Sequence, residues 1–205
     1  MAKTAYAAAG VNLEVSNSLK SGLGRLLSAA SRPEVLGKVG GFGGLFALKP
    51  GKYKQPVLGS SVDGVGTKLK VAFAMNRHHT IGQDLVNHCV DDIAVLGAAP
   101  LFFLDYLGTG ELKPNVFEEI VAGFAQGCAE NNCALIGGET AQMPGFYQKG
   151  EYEVSGTIVG VVEKSRMLDG RGIKPGDAVI GMASSGLHTN AVSYTHLTLP
   201  TNREV

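Results

Sequence analysis

The 205-residue sequence has no excess of charge of either sign, because 18 Lys and Arg balance 18 Asp and Glu. A broad basic surface is therefore missing, which argues against nucleic acid as a partner. The three cysteines, Cys89, Cys128 and Cys133, have the spacing of neither a disulfide framework nor a zinc knuckle. The sequence has no run of about eighteen apolar residues and no apolar signal segment at its start, so we expect a cytoplasmic protein with no membrane partner.

Apolar segments alternate between helical and strand-like patterns, and polar or glycine-rich loops follow the strand-like ones. This alternation predicts an α/β fold. Residues 37–44 contain five glycines and are expected to form a mobile loop. Asn115 is expected to be the N-cap of a helix, with Glu118 at the capping-box position. Helices are predicted over residues 16–30, 81–97 and from 115 onward, strands over 55–62, 101–107, 133–136, 152–162 and 177–183, and either over 68–75.

Residues 63–68, Asp-Gly-Val-Gly-Thr-Lys, follow directly after a predicted strand. Their glycines allow backbone amides to face a phosphate, Asp63 can hold Mg²⁺, and Lys68 can neutralise a phosphoryl oxygen. The segment is not a Walker A loop. An ordinary tight turn with a solvated Asp and Lys explains these six residues equally well.

The predicted helix at 81–97 carries an acid on its apolar side. At about 100° per residue, Asp92 falls inside the apolar stripe, and a buried carboxylate needs a cation or hydrogen-bond donors. A metal is a natural partner for it. Asp91 lies outside the stripe and is expected to be solvated. Asp84 and His88 lie outside it on a common side, and His88 is expected to form a hydrogen bond rather than to bind metal.

Two further loops carry polar groups after predicted strands. Gly137, Gly138, Glu139 and Thr140 follow an apolar strand, where α/β folds present ligand-binding groups, and Glu139 is suited to a metal or a ribose hydroxyl. An ordinary strand-to-loop turn is the alternative. Residues 184–190 offer hydroxyls, an imidazole and an amide, but no nucleophile elbow.

Taken in order, these segments resemble the aminoimidazole ribonucleotide synthetase family, also called phosphoribosylformylglycinamidine cyclo-ligases. The resemblance runs from near residue 6 to about residue 190. Its most specific motifs are Phe-Phe-Leu-Asp-Tyr at 102–106 and Gly-Gly-Glu-Thr-Ala-Gln-Met-Pro at 137–144, whereas Asp-x4-Gly-Ala-x-Pro, from Asp92, belongs to a wider superfamily.

The resemblance implies a mixed-sheet, ATP-binding N-terminal domain and an ATP-dependent ring closure of formylglycinamidine ribonucleotide to aminoimidazole ribonucleotide, through an iminophosphate. ATP and Mg²⁺ are the implied cofactors, and a homodimer joined through its sheets is the implied assembly. The implied metal ligands are Asp63 and Asp92, and His188 and Asn190 are implied on the substrate side. The implied ATP contacts are Gly40, Gly41, Gly43, Gly44, Lys68, Asp84, Gly137, Gly138 and Glu139.

The sequence departs from the family at two places. Asp91 stands where the family usually has Asn, which we expect to be tolerated. After Asn190 the family continues into a second α/β domain, whereas residues 193–205 show neither periodicity and are expected to be a non-native tail. We therefore expect an N-terminal domain at 1–168, the start of a second domain at 169–192, and weak or no turnover by this chain alone.

Other readings stay open at this point. They include a selenophosphate synthetase, a thiamine-phosphate kinase, the synthetase that makes formylglycinamidine ribonucleotide, and a non-catalytic dimerisation fragment. The selenophosphate enzyme usually has an early reactive cysteine, and the first cysteine here is Cys89.

Overall fold

The structure, a computed structural model, describes residue 7, residues 9–37 and residues 43–183. Asn12 begins the first helix, because its side chain accepts a hydrogen bond from the amide of Val15 at 3.1 Å. The elements in chain order are α1 (Leu13–Leu26, continued by a 3₁₀ turn at Leu27–Ala30), β1 (Pro56–Gly64), α2 (Lys68–Met75), α3 (Ile81–Ala94), β2 (Ala99–Thr109), α4 (Pro114–Glu130), β3 (Ala134–Gln142), β4 (Tyr152–Glu163) and a 3₁₀ turn at Lys164–Arg166.

The four strands form one mixed sheet in the order β1-β4-β2-β3. β4 is antiparallel to both β1 and β2, and β2 is parallel to β3. β1, β2 and β3 therefore run in one direction, with β4 reversed between the first two. One row across the sheet is important for the site, because the register places Asp63, Gly156, Asp105 and Gly138 side by side on the four strands.

The hydrophobic core lies between one face of the sheet and the helices α3 and α4. Fully buried side chains of the sheet, such as Phe103 and Ile158, meet fully buried side chains of the helices, such as Leu85 and Phe124. The two helices approach each other closely at Gly82, where a Cβ would overlap the carbonyl oxygen of Ile120. The sheet's other face, which we call the open face, carries the alternate residues of each strand.

The α/β interpretation is confirmed, and the predicted elements up to residue 163 form with shifted ends. The ambiguous segment at residues 68–75 is helical. The expected N-cap at Asn115 is wrong: α4 already begins at Pro114, because proline has no amide to lose and fits the first helical turn. The predicted loop at 137–140 is also wrong, since β3 continues through it to Gln142 while β2 keeps supplying backbone partners.

Residues from Ile173 onward form a separate unit. In its described part, residues 173–183, the amide of Lys174 donates to Asp177 Oδ2 at 3.0 Å. The strand expected at residues 177–183 does not form there. A strand requires a neighbour to satisfy its backbone, and Val179 and Ile180 are instead exposed.

Candidate functional site

Three contacts join one side of α3 to β1 and to the start of α2. Helix residues four apart share a face, and so do strand residues two apart, so the three contacts stack as parallel rungs. They are Lys68 Nζ to Asp84 Oδ2 at 2.5 Å, His88 Nε2 to Asp63 Oδ2 at 2.6 Å, and Ser61 Oγ donating to Asp92 Oδ2 at 2.6 Å. We call Asp63, Lys68, Asp84, His88 and Asp92 the carboxylate corner.

Asp63 lies near the end of β1 and is the most exposed of the three carboxylates in the corner. Its side chain is 46% exposed, while that of His88 is 24% exposed. Burial opposes its ionisation, but the Gly64 amide, which donates to Oδ1 at 2.7 Å, and the His88 ring outweigh it, so the pKa of Asp63 lies below its ordinary value. Asp63 is therefore an anion at neutral pH, as a cation ligand must be.

The two predicted metal ligands, Asp63 and Asp92, lie on neighbouring rungs of the corner. Asp92, which the pattern places inside the apolar stripe, is half-buried, and the Ser61 hydroxyl supplies the donor that it needs. Asp91 is exposed, as expected. Within residues 9–37 and 43–183, no three His, Cys, Asp or Glu side chains are grouped to hold a metal. The oxygen donors of the corner still suit Mg²⁺, which uses one or two carboxylates and keeps several waters.

The structure does not bring Gly137, Gly138 and Glu139 to the corner. They lie on β3, at the opposite edge of the sheet from β1. Gly138 shares the row of Asp63, but three strand spacings, about 14 Å, separate the two strands. The packed core also lies between them, where Cys89 Sγ is 3.6 Å from the carbonyl oxygen of Gly156.

Of the glycine loop at 37–44, Gly37, Gly43 and Gly44 are among the described residues. A Cβ on Gly44 would contact the Ile136 side chain, so this end of the loop lies against β3. Gly40, Gly41, His188 and Asn190 lie outside the described residues.

Asp105 has no role in the site predicted from the sequence, although its pKa is strongly shifted in the structure. It faces Gly138 on β3 and Gly156 on β4. Burial raises the pKa of Asp105 to about 7, and the negative charge of Glu139 adds to the shift. A signal was available, since Asp105 is the lone acid in the apolar segment 101–107.

A second buried polar pair was also missed. His78 is 5% exposed and its Nδ1 lies 2.9 Å from the hydroxyl of Tyr152, which is likewise buried. Burial lowers the pKa of His78 and raises the pKa of Tyr152, so both are neutral at pH 7. His78 precedes α3 and Tyr152 begins β4, so the pair fastens the start of the helix to the sheet.

Comparison with known sequences identifies the family. The profile described as AIR synthase related protein, N-terminal domain, matches residues 51–162. The chain belongs to this family.

Curated relatives named phosphoribosylformylglycinamidine cyclo-ligase resemble the chain along most of its length. The relative from Anaeromyxobacter sp. (strain Fw109-5) is 57% identical over 188 residues, which cover 92% of this chain and 55% of the relative. The relative from Myxococcus xanthus (strain DK1622) is 56% identical, with 93% and 55% covered. The chain thus spans about half the length of the curated relatives it matches.

Solved structures share the fold at lower identity. Thiamine-monophosphate kinase from Stenotrophomonas maltophilia K279a has a TM-score of 0.55 at 23% identity, covering 72% of this chain and 43% of the kinase. A hydrogenase maturation protein in complex with ATP has a TM-score of 0.52 at 19% identity, covering 74% and 41%. Among the helices that the structure describes, none is long and apolar enough to cross a membrane.

Proposed function

We propose that this chain is the nucleotide-binding part of an ATP-dependent cyclo-ligase of purine synthesis, working in the cytoplasm. The observation that carries the proposal is the 57% identity over 188 residues to a relative named phosphoribosylformylglycinamidine cyclo-ligase. The reaction is closure of formylglycinamidine ribonucleotide to aminoimidazole ribonucleotide, with release of ADP and phosphate. Residues 1–168 form the N-terminal domain and residues 169–192 begin the second.

The carboxylate corner is the proposed place for the triphosphate. Lys68 is held by Asp84 beside the end of β1, so its ammonium is positioned before ATP arrives. Asp63 and Asp92 would hold Mg²⁺, which when bound offsets phosphate charge. ATP binding by the hydrogenase maturation protein, which shares the fold, supports the assignment of a nucleotide to this domain.

The chemistry needs ATP because an amide oxygen is a poor leaving group. In the proposed sequence the substrate's amide oxygen attacks the γ-phosphorus of ATP, and ADP leaves. The neighbouring nitrogen then attacks the carbon of the resulting iminophosphate, loses a proton and expels phosphate. Lys68 neutralises the transferred phosphoryl group and Asp84 keeps Lys68 in place. His188 and Asn190 are proposed on the substrate side, and Gly40 to Gly44 over the triphosphate. The contacts proposed for Gly137, Gly138 and Glu139 stay a prediction, since these residues lie across the sheet.

The open face of the sheet supports a homodimer. Leu58 and Val62 of β1 are 60% and 65% exposed there, and Phe102 and Leu104 of β2, on the far side of β4, are partly exposed. A second copy covering this face would remove these apolar side chains from water. Sedimentation velocity tests it: the chain should sediment as a dimer, and Val62→Glu as a monomer. An unchanged dimer in Val62→Glu would contradict joining through this face.

The activity test uses a chimaera in which residues 1–192 are followed by the C-terminal half of the Anaeromyxobacter relative. It should release phosphate from Mg-ATP only when formylglycinamidine ribonucleotide is present. Asp63→Asn and Lys68→Met should each lower kcat/KM at least about 100-fold, because each removes charge that the phosphoryl transfer needs. The 205-residue chain alone should turn over weakly or not at all, since it spans about half the length of the curated relatives it matches.

Asp91→Asn is the matched control, because Asp91 is an exposed acid on the same helix outside the corner. Its kcat/KM should stay within about twofold of the unchanged chimaera. Consumption of ATP that thiamine phosphate or selenide triggers equally would overturn the proposed substrate. The thiamine-monophosphate kinase fold makes the first of these the more informative competitor.

A further inference from the structure

A cavity of about 430 Å³ lies beside the starts of β2 and β3, where Leu101 and Asn132 line it. The rest of its wall comes from residues 31–34, 46–49, 52 and 53. This volume is in the range of small-molecule sites. The carboxylate corner lies at the other end of the strands, since about 23 Å of extended chain separates Asp63 from Pro56 at the start of β1. The cavity is therefore distinct from the corner.

A tight turn brings two lysines to the wall of this cavity. Lys49-Pro50-Gly51-Lys52 has the residues of a type II β-turn, with proline second and a glycine at φ +78° third. The Lys52 amide donates to the carbonyl oxygen of Lys49 at 3.4 Å and closes the turn. The end residues of such a turn have Cα atoms within about 7 Å of each other. Both lysine side chains line the cavity, and Lys52 Nζ is 5.4 Å from the centre of the Tyr53 ring in the same wall.

The positive charge of the cavity is only partly neutralised. Among the described residues that line it, Arg32, Lys49 and Lys52 are cations and Glu34 is the one acid, which leaves a net charge of +2. Glu34 is already paired with Arg32, because Oε1 is 3.3 Å from Nη2 and Oε2 is 3.3 Å from Nε. Lys49 Nζ is farther away, at 3.8 Å from Oε1, and its side chain is 67% exposed. An arriving anion can therefore take Lys49 without leaving Glu34 unpaired.

Arg32 contributes charge to the cavity but has its donors in use. Its Nη1 donates to the carbonyl oxygens of Pro100, Leu101 and Asn132, at 3.3, 3.3 and 2.7 Å. These bonds fix the guanidinium at the starts of β2 and β3, so its positive charge stays in the wall. The two lysines are the cations that remain available to a ligand.

We propose that this cavity binds a small molecule through a diphosphate group, with Lys49 and Lys52 each meeting one phosphoryl group. Two ammonium groups held at one turn repel each other, and a polyanion that lies between them relieves this repulsion. Lysine is a common phosphate ligand, which acts as a point charge with three donors. The chain has no excess of positive charge as a whole, so the attraction is confined to this cavity. The site goes beyond the proposed function, because it lies at the other end of the strands from the carboxylate corner.

The test is isothermal titration calorimetry of the whole chain without Mg²⁺, with inorganic diphosphate and orthophosphate as probes. It is repeated with Lys68→Met, which removes the cation of the carboxylate corner. In both chains diphosphate should bind with a Kd on the order of 0.1–1 mM and about tenfold more tightly than orthophosphate, because diphosphate alone reaches both lysines. The affinity should fall as NaCl is raised, since the contacts are exposed.

Neutral substitutions of the two lysines make the test specific. Lys49→Gln and Lys52→Gln should each weaken diphosphate binding about threefold to fivefold, and the double variant should bind diphosphate no better than orthophosphate. Lys54→Gln is the matched control, because Lys54 is an exposed lysine of the same loop that does not line the cavity. Its diphosphate affinity should change less than about twofold. Equal weakening by Lys54→Gln would show general attraction to a basic surface and would overturn the proposal.

A substitution in the turn separates the arrangement of the lysines from their charge. Gly51→Val keeps every charge and meets no neighbouring atom, but valine disfavours the positive φ of this position. Diphosphate binding should weaken several-fold, whereas Gly51→Asn, which tolerates positive φ, should stay within about twofold of the native chain. A cooperative thermal transition in each variant shows that the fold is kept. Unchanged affinity in Gly51→Val would contradict a site arranged by the turn.

Three further results would overturn the proposal. They are no diphosphate binding by the folded native chain at about 10 mM, retained binding in the double lysine variant, and loss of binding in Lys68→Met. The last would place diphosphate in the carboxylate corner instead. The proposed cyclo-ligase activity is tested separately, by phosphate release from the chimaera.

Discussion

Asp63 and Asp105 occupy one row of the sheet, face the same layer of helices, and have opposite electrostatic surroundings. Asp63 has two strong partners, the Gly64 amide and His88, and the pKa of its carboxyl is lowered. Asp105 lies beside Glu139 and a cavity, and burial together with the charge of Glu139 raises the pKa of its carboxyl to about 7. Two carboxylates of one sheet thus differ in charge near neutral pH because of their neighbours, which is how proteins separate an anion site from a neutral one.

The largest expected loss of stability comes from a side chain at Gly156, which lies between Asp63 and Asp105 in this row of the sheet. A Cβ at Gly156 would overlap the Phe103 ring. Gly156→Val should therefore lower the free energy of unfolding by roughly 3 kcal/mol or more, measured by urea denaturation. Gly22→Ala, in α1 with open space around its Cβ, is the control and should gain about 0.5–1 kcal/mol. Equal stability of Gly156→Val and the native chain would show that the row tolerates the side chain.

Titration of Asp105 gives the next largest effect. Its pKa is raised in the folded state, so the folded chain binds the extra proton and its stability falls as pH rises from about 4 to about 7. Asp105→Asn should remove a few kcal/mol of this dependence in urea denaturation at stepped pH. Asp63→Asn should act in the opposite sense: the lowered pKa of Asp63 stabilises the fold above pH 4, and that stability is lost as pH falls through it. If the two substitutions changed the pH dependence of the free energy of unfolding in the same direction, the two carboxyl groups would not differ as described.

His78 should have a smaller effect on stability, and this effect should appear at acidic pH. Burial lowers the pKa of His78, with Glu119 opposing and Lys113 adding to the shift. Its neutral form is the folded one, so stability is present above the ordinary His pKa of about 6.5 and is lost as pH falls below it. His78→Asn should reduce the loss of Tm between pH 6.5 and 5, while the exposed His79→Asn should leave this loss unchanged. An identical acid slope in His78→Asn would mean that His78 does not set it.

The smallest stability effect is expected at Lys68. The Lys68 and Asp84 side chains are 23% and 36% exposed, so water weakens their ion pair. Lys68→Met should cost no more than about 1 kcal/mol in urea denaturation, and less at high salt. Its effect on the activity of the chimaera should be far larger. A loss of several kcal/mol would identify Lys68 as a structural residue rather than a ligand-binding one.

The sequence predicted most of the helices and strands because their apolar periodicity reflects burial on one face. It placed Asp92 inside the apolar stripe of α3 for the same reason, and the structure has Asp92 half-buried there. It failed at residues 137–140, since glycines that normally end a strand here make room for Asp105 on the neighbouring strand. That contact depends on sheet register, which joins residues far apart in sequence and leaves no local pattern.

The corner was predictable only in part. Asp63, Lys68, Asp84 and Asp92 were identified from the pattern and the resemblance, but their pairing was not, because it depends on α3 lying antiparallel to β1. The strand order could not be predicted from the sequence either. It separates Asp63 from Gly138, which are grouped together when only the resemblance is considered.

The reversed strand β4 determines when the sheet can form during synthesis. Among the strands of the described residues, β1 is hydrogen-bonded to β4 alone, and residue 56 pairs with residue 163. Until β4 has left the ribosome, the chain can assemble β2 with β3 and their helix, but β1 has no strand to join. The Asp63 end of the corner therefore takes its place late, after the β3 edge, and ribosome-bound chains that stop before residue 152 would present β1 without β4.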